Sequence, residues 1–396
     1  MMKVLTVLVM VVVTVFALPT GVSAEEMQDR VIVRFRAGVS SDDQQRTLDR
    51  VGARERRSYR VLRAQSATVS SRGRAALLSE DAVEGVDPDL EVSAFLTVGQ
   101  LKAAGHRERA LASSTQELTW NLTRIGAPVA WNVGRGAGTR VAVLDTGAQL
   151  THPDLAGRIA ASRNFVRPGR SADDDNGHGT HVAGVIAAAD NSVGVVGVAP
   201  DTSLLIAKVL DSRGRGYVSD IIAGLDWAIQ NNARVVNMSL GLPTDVPSLR
   251  LAVERTMGAG ISVVAAAGND GGQVSYPAAY PVVIAVGATD ATDAVPSWSA
   301  QGQALDLVAP GVNVKSTYRR SRYVTMTGTS MATPHVAAAA ALLSQQPTQC
   351  DIDGNGVCAP AEIEARLRAT ATDLLASGYD VRSGAGRLNV AQALGR

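Results

Sequence analysis

Hydrophobic residues fall along this chain in short apolar runs separated by longer, helically spaced stretches. Residues 141–145, 204–210, 235–240, 262–267 and 282–286 are rich in valine, isoleucine, leucine and alanine, and read as strands buried on both faces. Between them, 219–229 and 248–257 carry the apolar spacing of helices. Strand alternating with helix predicts an α/β fold, a mainly parallel sheet with helices on both faces. One helical stretch differs from the others. From Met331 to Gln345 no side chain is charged unless His335 is protonated, and a helix apolar all round belongs in a core.

The first hundred residues follow other patterns. Lys3, an apolar run over 4–18 and then Pro19-Thr20-Gly21-Val22-Ser23-Ala24 have the three parts of a secretory signal peptide over 1–24. The run is short for a membrane span of about 20 residues. Residues 31–35 alternate like a half-buried strand and 41–51 read as a capped helix. A strand or two over 59–69, a helix over 72–78 and a last strand over 90–95 complete a β-α-β-β-α-β order. That order predicts a small α+β domain over 25–97. Residues 98–114, with Lys102, His106, Arg107, Glu108 and Arg109 among alanines, read as a linker. The third unit, 115–396, carries the sheet and ends in a helix at 388–394. At 396 residues, 46% hydrophobic and formal charge +1, the chain can bury a large core and shows no bias toward nucleic acid or anionic membrane.

Chemistry enters at the mouth of the apolar helix. In Gly328-Thr329-Ser330-Met331-Ala332-Thr333-Pro334-His335, Ser330 stands where a helix N-terminus offers unpaired N–H groups and a positive dipole end. A serine there is commonly no more than a cap. Two other stretches change that reading. Val143-Leu144-Asp145-Thr146-Gly147 ends a buried strand in a carboxylate, at the edge where open α/β sheets place their sites. His178-Gly179-Thr180-His181-Val182-Ala183-Gly184 opens another apolar helix with a histidine. Asp145, His178 and Ser330 then follow one of the known chain orders of a serine-histidine-aspartate triad.

With Ala267-Gly268-Asn269, these signatures make the chain, from about Thr115 to its end, resemble the subtilases, the subtilisin-like serine proteases. The resemblance implies that Ser330 is the nucleophile, that His178 takes its proton and that Asp145 orients the imidazole. It also implies that Asn269, with the Ser330 N–H, stabilises the oxyanion. Residues 25–97 resemble the family's inhibitory prodomain, removed by a cut within or slightly upstream of the linker. Gly214-Arg215-Gly216 and Ser239-Leu240-Gly241 would wall a cleft in which a peptide pairs as an added strand. Ser275 would lie near the floor of the specificity pocket. Leu242 departs from the second glycine of many relatives and leaves that pocket's shape open. Asp173-Asp174-Asp175 could favour a basic substrate residue, or could be a solvated acidic loop. His152, His181 and His335 read as structural.

Two calcium sites are expected. Residues 189–195 resemble the family's tight calcium loop, implying ligands from Ala189, Asn191, Val193 and Val195, completed by Asp154 and Gln116. The second comes from the residues alone. Asp351, Asp353, Asn355, Val357 and Glu362 fit the EF-hand loop spacing within an insertion at 346–362, with a helix to follow over 361–369. Cys350 and Cys358 bracket the first half of that loop, and a bridge between them suits a secreted chain.

The expected protein is a secreted serine endopeptidase made as a self-inhibited, autoprocessed precursor with structural calcium. Its partners would be protein or peptide substrates and its own prodomain, with no nucleic acid, no membrane after signal cleavage, and a monomeric state. Two other readings stay open: a catalytically silent subtilase fold that only binds, and a narrow processing protease for basic sites.

Overall fold

The computed structural model describes residues 28–95 and 115–396, so the expected signal peptide at 1–24 and the linker at 98–114 lie outside the described residues. The larger unit is built on a seven-stranded sheet in which every pairing is parallel. Its strands are β6 (Arg140–Asp145), β7 (Ile159–Asn164), β8 (Ser203–Lys208), β10 (Val235–Met238), β12 (Ser262–Ala266), β13 (Ile284–Thr289) and β14 (Leu307–Pro310). Their order is β14-β13-β12-β10-β6-β8-β7. The first strand of the unit therefore lies inside the sheet, and the chain builds outward from it in both directions.

Alternate residues of these strands feed two cores. Val141 and Val143 pack with the helices His178–Ala187 and Thr329–Leu343 on one face. Ala142 and Leu144 pack with Val218–Gln230 and Pro247–Gly258 on the other. All fifteen residues of Thr329–Leu343 are buried, as its all-round apolarity requires.

The sheet's two edges were not legible. Edge strand β7 reads Ile-Ala-Ala-Ser-Arg-Asn and is largely exposed or half-buried, with no apolar run to mark it. Edge strand β14 is only four residues long. A further hairpin pairs β15 (Val314–Tyr318) with β16 (Arg322–Met326). Its turn places Arg320 and Ser321 at φ of 62° and 52°, a conformation usually signalled by asparagine and glycine.

The N-terminal domain has an antiparallel sheet of order β2-β3-β1-β4, from β1 (Gln28–Phe35), β2 (Arg54–Tyr59), β3 (Ala64–Ser70) and β4 (Val83–Pro88). The hydroxyls of Ser40 and Ser70 cap its two helices, Ser41–Arg50 and Ser71–Leu77. Here the expected pattern needs correction. The fourth strand is β4, hidden in the sequence by Gly85, Asp87 and Pro88, whereas residues 90–95 do not join this sheet at all. They supply β5 (Glu91–Ala94), the central strand of a separate antiparallel ribbon between β9 (Arg215–Tyr217) and β11 (Leu240–Gly241).

The approach to that ribbon is held by charge. Asp89 accepts the N–H of Ser219 at 2.8 Å, at the start of Val218–Gln230, and pairs with Arg30 at 2.8 Å. Asp87 accepts from Ser248, at the start of Pro247–Gly258, and from Arg34 at 2.9 Å. Each carboxylate thus meets the positive end of a helix.

Candidate active site

Asp145 is the last residue of β6, beside the point where the sheet order reverses. His178 opens the helix His178–Ala187, and its Nδ1 lies 2.8 Å from Asp145 Oδ1 and 3.0 Å from Oδ2. Both side chains are fully buried. So close an approach requires glycine beside the histidine. A Cβ added at Gly179 would lie 2.1 Å from the Gly147 carbonyl oxygen and 3.0 Å from Asp145 Oδ1. Burial opposes protonation of His178, but the charge of Asp145 and its hydrogen bond outweigh this and, with Asp174, raise its pKa.

Ser330 lies in the first turn of Thr329–Leu343. Its hydroxyl is in hydrogen-bond reach of the carbonyls of Ser239 at 3.1 Å and Phe95 at 3.3 Å. His178 Nε2 is buried and has no hydrogen-bond partner. Asn269, just past β12, donates its amide to the Phe95 carbonyl at 2.8 Å. The orientation of that amide is set by its oxygen, which accepts the Thr329 N–H at 2.9 Å and the Thr329 hydroxyl at 2.8 Å. One carbonyl oxygen therefore faces both an amide donor and a serine hydroxyl at the mouth of a helix. A nucleophile, an oriented imidazole and an oxyanion donor around a carbonyl can perform acyl transfer.

The segment presenting that carbonyl is bound as a strand. Val92 pairs with Gly216 and Ser93 with Arg215 on one side; Ala94 pairs with Leu240 and Ser93 with Gly241 on the other. The Ala94 N–H donates to the Gly214 carbonyl at 2.9 Å. Val92 is buried among the second core cluster. The Phe95 ring lies against Gly241, where an added Cβ would come within 2.4 Å of the ring. Leu242 turns into the wall and exchanges backbone hydrogen bonds with Tyr276, both 2.9 Å. Ser275 donates its N–H to the Ala267 carbonyl at 2.8 Å, and its side chain stands behind Gly268.

The three neighbouring acids separate. Asp173 is exposed and accepts the Leu150 N–H, Asp175 pairs with Lys208 at 2.7 Å, and Asp174 is buried. For Asp174, a solvated acidic loop is therefore a misreading, because alternation of buried and exposed positions is invisible in a run of identical residues. The other histidines among the described residues use their rings on the backbone. His181 Nε2 meets the Val314 carbonyl at 3.0 Å, His335 Nδ1 the Met331 carbonyl at 2.9 Å, and His152 Nε2 the Arg322 carbonyl at 3.2 Å.

Two groups of oxygens could hold cations. Around residues 189–195, the carbonyls of Ala189 and Val195 meet the Gln116 amide at 3.0 and 3.3 Å. The Asp154 carboxylate meets the Asn191 amide at 3.1 Å and the Val195 N–H at 3.0 Å. Val193 donates to the Asn191 oxygen at 3.1 Å on the same turn. A set of amide and carbonyl oxygens with one carboxylate fits a hard cation. Sequence reasoning missed Tyr323, whose hydroxyl bonds Asp154 and whose ring stacks edge-on against His152, 5.4 Å between centroids. In the insertion, carboxylate oxygens of Asp351, Asp353 and Glu362 lie within 4.8 Å of one another. Asn355 and Val357 lie on the same loop, and Cys350 and Cys358 are joined by a disulfide.

Comparison with known proteins agrees with this geometry. A sequence profile described as the Subtilase family matches residues 136–386. Subtilisin Savinase of Lederbergia lenta is 49% identical over 261 residues, 65% of this chain and 93% of that protein. An alkaline protease of Alkalihalobacillus alcalophilus is 48% identical over 266 residues, 67% of each. Subtilisin E of Bacillus subtilis (strain 168) is 38% identical over 377 residues, 92% of this chain and 90% of that protein.

The histidine environments give a measurable pattern. In a Ser330→Ala protein, ring NMR resonances should show His178 titrating above the ordinary 6.5, while burial holds His181 down to about 3 and His335 to about 4. Below 6.5 the unfolded chain takes up protons that the latter two refuse when folded. These two histidines therefore contribute a loss of stability as pH drops from 6.5 through about 4 toward 3. A His181 resonance titrating near 6.5 in the folded protein would contradict this picture.

Proposed function

From its membership of the subtilase family, we propose that this serine endopeptidase is secreted by way of a signal peptide at 1–24 and made as a precursor inhibited by residues 25–95. We further propose that the precursor cuts itself after Phe95, slightly upstream of the linker. The observation that supports this most strongly is the Phe95 carbonyl, 2.8 Å from the Asn269 amide and 3.3 Å from the Ser330 hydroxyl, at the end of a segment paired as a strand on both sides. That is how a peptide about to be cleaved would lie. No helix among the described residues is long and apolar enough to cross a membrane.

In the proposed reaction the Ser330 oxygen attacks the carbonyl carbon and its proton passes to His178 Nε2, with Asp145 holding the imidazole through Nδ1. Negative charge moves onto the carbonyl oxygen, toward the Asn269 amide and the N–H groups of the helix mouth. The C–N bond then breaks, and the leaving amine takes the proton from His178. Water, deprotonated by the same imidazole, hydrolyses the ester left on Ser330. An aromatic ring against Gly241 favours large apolar residues before the cleaved bond, and buried Val92 favours a small apolar residue three positions earlier. The reading of a protease narrow for basic sites gains no support from that pocket. Calcium is proposed at both oxygen clusters, neutralising Asp154 in the first and the three carboxylates in the second. It would act as a structural ion, with no part in the proton transfers.

Asn269→Ala should lower kcat with KM nearly unchanged, since the oxyanion exists only after attack begins. The expected cost is about 3 kcal/mol, a magnitude carried over by likeness from the corresponding asparagine of subtilisin. An effect mainly on KM would count against the assigned role.

Ser330→Ala, expressed without other proteases, should accumulate as an uncleaved precursor, whereas the wild type should yield a fragment ending at Phe95 by mass spectrometry. Processing of the mutant at the same bond would refute autocatalysis.

Asp351→Ala with Glu362→Ala should remove one bound calcium and part of the calcium-dependent melting temperature, leaving kcat on a small peptide largely intact. At a hundredfold excess over Kd the ion contributes about 2.7 kcal/mol. An unchanged ion count would show that the loop is only a turn.

A further inference from the structure

Asp174 takes no part in the reaction just described, yet it is more completely engaged than any group that does. It is 6% exposed, and its two oxygens accept five hydrogen bonds. Oδ1 takes the N–H groups of Asn176 and Gly177 and the Thr146 hydroxyl, each at 2.9 Å. Oδ2 takes the Thr180 N–H at 2.9 Å and the Thr180 hydroxyl at 2.6 Å. These donors come from the residue after Asp145, from the two residues before His178, and from the second residue after it.

The surrounding bonds close a ring. The first N–H groups of a helix have no intrahelical acceptor. Here the His178 N–H goes to the Asn176 side chain at 3.1 Å, Gly179 to the Thr146 hydroxyl at 2.9 Å, and Thr180 to Asp174. Gly177, at the cap position, has no side chain to serve them. The same carboxylate therefore satisfies the helix that carries His178 and grips the threonine that follows Asp145.

We propose that Asp174 is a positioning residue for the proteolytic reaction: its carboxylate locks the end of β6 to the start of the His178 helix, holding the imidazole on Asp145, and sets a second buried negative charge at that helix start. This rests on His178 acting as the general base.

The charged groups around His178 support an electrostatic part to that role. Asp145 faces it from β6 and Asp174 from the preceding loop. His181, on its own helix, is neutral. Lys208, on β8, directs its ammonium to Asp175 and to the carbonyls of Thr146 and Leu210. On the hairpin, Arg319 and Tyr318 bond the carbonyls of Asp175 and Asn176. On the Ser330 helix, His335 is neutral and bonded to Asn121. Asp145 and Asp174 are thus the two carboxylates that favour the protonated ring. Burial raises the Asp174 pKa and its hydrogen bonds to Thr180, Gly177 and Asn176 oppose that rise; while it is ionised, its removal shifts His178 protonation to lower pH.

The test uses the full chain, matured by bead-immobilised wild-type enzyme that is then filtered off so that all variants share one N-terminus and none carries wild-type activity, and a peptide anilide with phenylalanine before the cleaved bond. Asp174→Asn keeps the shape, removes the charge and turns amide hydrogens toward donors. It should lower kcat roughly thirty- to a hundredfold, as expected for a misplaced catalytic group. KM should stay within about threefold of wild type, and the acid limb of the kcat profile should move to lower pH. Thr146→Val, which keeps the charge, should lower kcat roughly tenfold with the acid limb unmoved. The double variant should be little worse than Asp174→Asn, because the two share a bond.

Wild-type kcat in a folded Asp174→Asn protein would overturn the proposal. A rate loss that merely follows a lower melting temperature, with the acid limb in place, would do the same. Should Asp174→Asn fail to fold, Thr146→Val decides, and wild-type kcat there sinks the idea. His178→Ala run alongside separates the premise: activity in that variant would refute the general base itself. A dead His178→Ala beside a normal Asp174→Asn would refute only the positioning role.

Discussion

Burying a parallel sheet on both faces leaves its polar side chains almost nowhere to go except the strand ends. In β6, exposed Arg140 starts the strand, Val141, Ala142, Val143 and Leu144 are all fully buried, and the next polar group is Asp145 at the far end. In β10 and the turn beyond it, Asn237 and Ser239 are bonded to each other, and Ser239 bonds the Ser330 carbonyl. The helices obey the same rule, since His178 and Ser330 each stand at the first turn of an element whose remaining face is core. Asp145, His178 and Ser330 meet because the packing pushes polar side chains toward the ends of strands and helices, and these three ends lie along one rim of the sheet.

That constraint also explains what the sequence reveals. A carboxylate closing an apolar strand, a histidine between glycines and a serine opening an apolar helix are conspicuous because each breaks a hydrophobic pattern in a fixed direction. The glycines beside His178 are visible for the same reason, as there is no room for a side chain between that helix and the Gly147 carbonyl. Central strands were legible, whereas edge strand β7 buries too little to need a pattern and edge strand β14, though buried throughout, is too short at four residues to show one. The β15–β16 turn was missed because Arg320 and Ser321 adopt a conformation their identities do not advertise.

Asp174 and Phe95 were missed for a different reason, since their roles arise only from tertiary contact. Nothing in three consecutive aspartates says which one turns inward, and nothing in residues 90–95 says that the strand will leave its own sheet. The strand forms where it does because β9 and β11 present two open edges at the right separation, and an open edge pairs with whatever extended chain reaches it. The ion-paired approach through Asp87 and Asp89 brings this segment within reach.

The five consecutive alanines from Ala337 to Ala341, all fully buried in the helix behind Ser330, have a consequence for how much room for change this protein has. Alanine has no side-chain rotamers to lose, so the element that carries Ser330 becomes ordered without the entropy cost of freezing long side chains. The same smallness lets the helix lie close against the sheet, and leaves no slack for a larger residue without overpacking. The segments 214–217 and 239–242, which flank β5, are short and lie at the margin of the same cores. Substitution is therefore tolerated more readily in these flanking segments than in the helix, so the strand-pairing edges can vary while the helix that carries Ser330 stays fixed.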